Sequence, residues 1–142
     1  MHPDRDDCLK FRSSGALRVG TDLVQVSRIA ESIATFGDKF TRRLFTDHEI
    51  AYATSSQSLQ AERFAARFAA KEATIKALNL VHVGFDWKEI EVLRDTAGQC
   101  SVVLRGAAKV AAERDRLKEL CVSLSHEGDY AVATVVLLAA QD

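Results

Sequence analysis

From Leu17 onward polar and apolar positions alternate. Leu17, Val19, Thr21 and Leu23 face one way, and Arg18, Gly20, Asp22 and Val24 face the other. This period of two predicts a strand. Val26, Ile29, Ile33 and Phe36 then recur at helical spacing until Gly37-Asp38 interrupts them. Thr46 and Glu49 stand three apart as a capping box and predict a second helix start, which Ser55-Ser56-Gln57-Ser58 breaks. Residues 61–78, rich in Ala and free of Gly and Pro, form the clearest helical segment. Residues 87–94 read as a strand with Ile90 and Val92 on one face, and Asp95-Thr96-Ala97-Gly98 as a turn. Cys100, Val102 and Leu104 continue an antiparallel partner. A further Ala-rich helix is predicted over 107–120. Strands over 121–125 and 130–139 follow, joined through His126-Glu127-Gly128-Asp129. Hairpins separated by helices predict an α+β fold, a mainly antiparallel sheet packed with a long helix. Residues 1–16 show no lasting period and are read as an N-terminal extension, leaving residues 17–142 as a single domain.

Composition narrows the picture. A chain of 142 residues fits one domain that buries about two-thirds of its unfolded surface. Nineteen Lys+Arg against 20 Asp+Glu give a formal net charge of −1, which argues against a general nucleic-acid binder. The 47% hydrophobic content excludes disorder as the main state. No run of about 18 apolar residues predicts a membrane span, and the polar first seven residues lack the apolar core of a secretory signal. Cys8, Cys100 and Cys121 form no CxxC pair, and their odd number fits reduced thiols. The expectation is a soluble cytoplasmic domain.

Candidate chemistry lies where charge interrupts the pattern. Projected at about 100° per residue from Arg63, the long helix gathers Ala61, Phe64, Ala65, Phe68, Ala69 and Ile75 between about 100° and 240°. Glu72 falls at about 180° and Lys76 at about 220°, inside that apolar arc. A carboxylate there is costly without a cation beside it. Taken alone, the two read as an i,i+4 surface pair, but a solvated pair belongs opposite the Phe residues. Arg63, Arg67 and Lys71 form a second row at about 0°, 40° and 80°. On its own that row reads as the wet face; functionally, it is a ladder suited to anionic oxygens. Asp22 interrupts an apolar strand, either as the cap of the next helix or as a hard-cation ligand. Mg²⁺ takes one or two carboxylates and fills its other positions with water and phosphates. Asp22 and Glu72 supply such a pair if the first strand lies beside the long helix. Ser123-Leu124-Ser125-His126 ends a strand in a His at a turn. No GxxxxGK[ST] phosphate loop occurs.

Together these segments are similar to a known family. Gly20-Thr21-Asp22-Leu23-Val24 with Arg28-Ile29, then Arg67-Phe68-Ala69-Ala70-Lys71-Glu72-Ala73 with Lys76-Ala77, then Ser123-Leu124-Ser125-His126, resemble the holo-[acyl-carrier-protein] synthases. These are the short, single-domain 4′-phosphopantetheinyl transferases. The resemblance runs from about Val19 to about Val136, and the three elements in this order are specific. It implies transfer of 4′-phosphopantetheine from coenzyme A, the co-substrate, to a serine of an apo acyl carrier protein, releasing adenosine 3′,5′-bisphosphate. Carried over residue by residue, Asp22 and Glu72 bind Mg²⁺ and Lys76 contacts the phosphate under attack. Chemically, the attacking serine must lose a proton, and the expected base is Glu72 or, in preference, a water it orients. Arg67 and Phe68 hold the adenine nucleotide, and Ser125 and His126 line the phosphate end. The family fold is α+β, and its short members are homotrimers with active sites between subunits.

The carrier is strongly acidic in this family, and Arg28, Lys39, Arg42 and Arg43 face only Glu31 and Asp38 between positions 28 and 43. That local excess is expected to steer an acidic helix to the site. The alternative reading is a catalytically silent carrier-binding subunit of the same fold; the retained Asp22, Glu72 and Lys76 argue against it. Asn79-Leu80-Val81-His82-Val83 stands where relatives commonly carry a glycine-rich loop, and Gly98-Gln99-Cys100 lacks a proline common after that turn.

Overall fold

The computed structural model describes residues 9–11 and 14–141, so most of the expected extension, Cys8 included, lies outside the described residues. Strand β1 (Leu17–Gln25) leads into helices α1 (Val26–Phe36), α2 (Asp38–Leu44) and α3 (Asp47–Thr54), and then into the long α4 (Gln60–Leu78). Two 3₁₀ turns, Leu80–His82 and Trp87–Glu89, precede a hairpin of β2 (Ile90–Arg94) and β3 (Cys100–Leu104). Helix α5 (Gly106–Arg114) and strands β4 (Leu117–Glu127) and β5 (Tyr130–Ala139) complete the chain. The α+β architecture expected from the pattern is the one observed. β1, β5 and β4 form one antiparallel sheet in that order, and β2 and β3 pair antiparallel as a second.

Helix α4 is the axis of the molecule. Phe64, Ala65, Ala69, Ala70, Ala73, Thr74, Ile75, Ala77 and Leu78 are all buried along it. The small residues matter because elements pack against this helix from several sides at once. Ala131, Ala133, Val135 and Leu137 of β5 form the inner face of the large sheet beneath it. Gly20 brings β1 closest: a Cβ there would stand 2.0 Å from the Ala73 carbonyl oxygen, so no other residue fits without moving the strand off the helix. The β4–β5 hairpin turns on Gly128-Asp129 alone, with Gly128 at φ 56° in the first central position, as a type II′ turn requires. Asp129 then accepts from Ser27 N (3.0 Å) and Ser27 Oγ (2.6 Å), satisfying the start of α1 from outside the helix.

Four elements differ from the pattern reading. Helix α2 was not anticipated; at seven residues it is too short for a period to show. The strand expected over 87–94 begins as a 3₁₀ turn, where the Asp86 carboxylate accepts from Lys88 N (2.9 Å). The helix expected over 107–120 ends at Arg114. Arg116 takes a left-handed conformation at φ 57°, and Leu117 is already paired with Ala139. Ladder hydrogen bonds to β5 outweigh the helical propensity of this stretch. His126 and Glu127, read as part of a connection, belong to β4. The outer face of the large sheet is apolar yet open: Leu17, Val19, Leu23, Val136 and Leu138 are all exposed.

Candidate active site

The close approach of β1 to α4 puts Asp22 beside the second half of the helix. Lys76 Nζ donates to Thr21 O (2.8 Å) and to Asp22 Oδ1 (3.1 Å). Glu72, one turn earlier, is half-buried, and no described residue donates a hydrogen bond to its carboxylate. Its pKa is raised, first by burial and then by the negative charge of Asp22, with Lys76 opposing both. The surface i,i+4 pair between Glu72 and Lys76 is therefore not what forms; Lys76 pairs with Asp22 instead. Asp22 does not cap α1 either. The N-cap is Gln25, without a side-chain cap hydrogen bond, and Asp129 serves that end.

Among the described residues, the corner thus holds two carboxylates close enough to repel, one of them without a donor, and a single ammonium. Their net negative charge and all-oxygen acceptor set suit a small hard cation that keeps most of its own water. No larger group of three or more His, Cys, Asp or Glu able to hold a metal occurs among the described residues.

A second polar centre lies at the other edge of the sheet. A cleft of about 480 Å³ is lined by Tyr52, Arg63, Arg67, Arg94, Ser125 and His126, among others. The guanidinium carbons of Arg63 and Arg67 stand 4.4 and 4.1 Å from the Tyr52 ring centroid. Arg94 Nη1 donates to Tyr52 Oη (3.1 Å). Burial works to raise the Tyr52 hydroxyl. The Arg94 hydrogen bond and the charges of Arg63, Arg67 and Arg94 nevertheless bring it below its ordinary value. Arg67 is 4% exposed, and its Nε is a buried donor with no partner among the described residues. Burial pushes its pKa down. His126 Nδ1 donates to Glu62 Oε1 (2.6 Å), so the strand-end His has a carboxylate to orient it. Among the described residues none of the three arginines is ion-paired, and they outnumber the one lining acid, Glu62, so the cleft is cationic. A multiply charged anion is the ligand it can hold.

The long row on α4 is not the wet face that Arg63, Arg67 and Lys71 suggest in isolation. Arg67 is buried under Tyr52, and Lys71 is fully buried with Glu49 at 2.7 Å. Phe68 does not line the cleft. It stacks on Trp87, with centroids 5.4 Å apart and planes at 13°. Arg28 on α1 and Lys39, Arg42 and Arg43 on α2 are all exposed; among the described residues only Arg42 of the four forms an ion pair, with Asp38 at 3.8 Å. Tyr52, Glu62 and Arg94 were not anticipated as site residues. No local pattern marks them, because each reaches the cleft from a different element. For Glu49 the capping box was legible, but its role as the partner of Lys71 was not.

Sequence and structure comparisons identify the family of the fold. The model of the 4′-phosphopantetheinyl transferase superfamily matches residues 18–135, and the chain belongs to that superfamily as an enzyme of its class. The named relatives within it are holo-[acyl-carrier-protein] synthases. That of Koribacter versatilis is 43% identical over 122 residues, covering 85% of this chain and 97% of its own. Among solved structures, an ACPS–CoA complex from Chronobacterium ammoniagenes superposes with a TM-score of 0.77 at 33% identity, covering 89% of this chain and 99% of its own. The Helicobacter pylori synthase in complex with coenzyme A gives a TM-score of 0.73 at 26% identity, covering 84% and 98%. No described helix is long and apolar enough to cross a membrane.

Proposed function

We propose that the protein transfers 4′-phosphopantetheine from coenzyme A to a serine of apo acyl carrier protein. The products are holo carrier protein and adenosine 3′,5′-bisphosphate. The observation that carries this reading is the convergence of Asp22, Glu72 and Lys76, three costly charges drawn from two elements into one half-buried corner. Asp22 and Glu72 would hold Mg²⁺, which supplies charge neutralisation across a pyrophosphate. Lys76, half-exposed and already aimed at Asp22, can turn its ammonium to the phosphoryl group under attack and to the charge building on the leaving side. Glu72 orients the water that takes the serine proton. Phosphoryl transfer asks little more of a protein than such placement and neutralisation. The cationic cleft, with Arg67, Ser125 and His126, takes the phosphorylated nucleotide end of coenzyme A. Arg28, Lys39, Arg42 and Arg43 receive the acidic carrier.

Asp22 lies on β1 and His126 on β4, the two opposite edges of the sheet, with β5 between them. One copy therefore presents the acidic corner and the cationic cleft on different sides. Together with the family resemblance, this separation supports a homotrimer in which the corner of one subunit meets the cleft of the next. The open apolar face of Leu17, Val19, Leu23, Val136 and Leu138 is a natural surface for that association. The setting is the cytoplasm, where carrier and coenzyme A occur together. Incubation with apo carrier, coenzyme A and Mg²⁺ tests the reading: the carrier gains the mass of one phosphopantetheine. An unmodified carrier that still binds identifies a catalytically silent subunit instead. Light scattering decides the trimer.

A further inference from the structure

One ion pair is used by nothing in the site described above. Lys71 and Glu49 are both fully buried. Lys71 Nζ donates to Glu49 Oε1 (2.7 Å), Leu44 O (2.7 Å) and Trp87 O (3.2 Å), which uses all three ammonium hydrogens. Glu49 Oε1 also accepts from Thr46 N (2.9 Å), and Oε2 accepts from Val92 N (3.0 Å). The end of α2, the start of α3, the 3₁₀ turn at Trp87 and strand β2 are thus all tied to one side chain of α4.

That side chain immediately precedes Glu72 and follows Arg67 by one turn. Successive helical residues are locked about 100° and 1.5 Å apart, so a side chain pinned on one flank sets where its neighbours point. Simple stability is a weak reason for the pair, because apolar residues of similar volume often hold a core as well or better. Directionality is the stronger one, since a cage of three acceptors tolerates one placement of the ammonium. Leu44 also closes the helix that carries Arg42 and Arg43.

We propose that the Lys71–Glu49 pair is a positioning element for the transfer reaction. It sets the rotation and axial register of α4 so that Glu72 meets Asp22, and it fixes the span from that corner to the carrier-docking helix. The proposal rests on the reading of Glu72 given above.

The test is the double variant Glu49→Gln/Lys71→Met, which removes both charges at nearly constant volume. Trp87 is the only tryptophan, so its emission reports whether the neighbouring stack survives. The expected result is a folded protein with native emission, KM values for coenzyme A and carrier within about threefold, and kcat lowered at least about tenfold. A folded double variant with wild-type kcat overturns the proposal. If that variant does not fold, Glu49→Asp decides, because it keeps the charge and shortens its reach by one methylene. A folded Glu49→Asp protein with reduced kcat and unchanged KM supports positioning, and unchanged kcat overturns it. A fold that tolerates neither variant makes the pair an ordinary stability element and also overturns it. Failure of the functional reading looks different: the wild-type protein itself then transfers nothing.

Discussion

Lys71 and Lys76 stand five positions apart on α4, and each meets a carboxylate delivered by another element. The environments differ. Lys71 and Glu49 have no exposed side-chain surface, and both are fully hydrogen-bonded. Lys76 keeps half of its surface and Asp22 18%, beside a Glu72 to which no described residue donates a hydrogen bond. Burial works to pull the Lys71 pKa down while Glu49 resists, so neither partner can leave without stranding the other. At the Lys76 corner, burial and Asp22 leave Glu72 poorly satisfied, which a binding site tolerates and a structural strut does not. One helix thus carries both a closed, fully hydrogen-bonded pair and an open, partly exposed one.

The sharpest way to break this contrast is to remove each lysine in turn. Lys71→Met strands the Glu49 carboxylate and is expected to cost about 3–5 kcal/mol in chemical denaturation. Lys76→Met is expected to cost about 0.5 kcal/mol or less in the same experiment, yet to lower transfer by about 100-fold or more. Equal destabilisation by the two would erase the distinction drawn here. Gly20→Ala forces β1 away from Ala73 and is expected to cost about 1–3 kcal/mol while separating Asp22 from Glu72. Normal transfer by that variant would mean that the corner needs no close strand.

Glu72→Gln is expected to abolish transfer while keeping the fold, and it carries a pH signature. The native Glu72 holds its proton more tightly than the unfolded chain, because its pKa is raised. Its contribution is therefore fully present below the ordinary value of 4.5 and is lost as pH rises from there through the raised native value. The Gln variant escapes that loss. Without divalent ions its melting temperature should exceed the wild type's at pH 7 but not at pH 4, by an amount worth about 1 kcal/mol or less for so open a group. A wild-type protein that is the more stable at pH 7 would contradict the strained corner. The smallest effect expected concerns the proposed docking face, outside both pairs. Arg28→Glu should raise KM for carrier about tenfold and leave KM for coenzyme A unchanged, corresponding to about 1.4 kcal/mol of lost binding.

Periodicity marked β1 and α1, alternation and turn residues marked both hairpins, and Ala content with freedom from Gly and Pro marked α4. Periodicity also singled out Asp22, Glu72 and Lys76, since charge inside an apolar stripe is costly wherever it lies. The same logic misread the row of Arg63, Arg67 and Lys71. A helix packed on several sides has no single wet face, and an amphipathic projection assumes one.

What the sequence by itself determined is therefore the set of elements, the charges that needed explaining and the family they resemble. Only the tertiary structure decided which lysine is sealed and which is open, that Tyr52 carries Arg63 and Arg67, that Glu62 orients His126, and that the acidic corner and cationic cleft lie at opposite sheet edges. The physical reason is range. Local spacing records which face of an element is buried, whereas an ion pair such as Glu49–Lys71 joins residues 22 positions apart and exists only once other elements have closed around it.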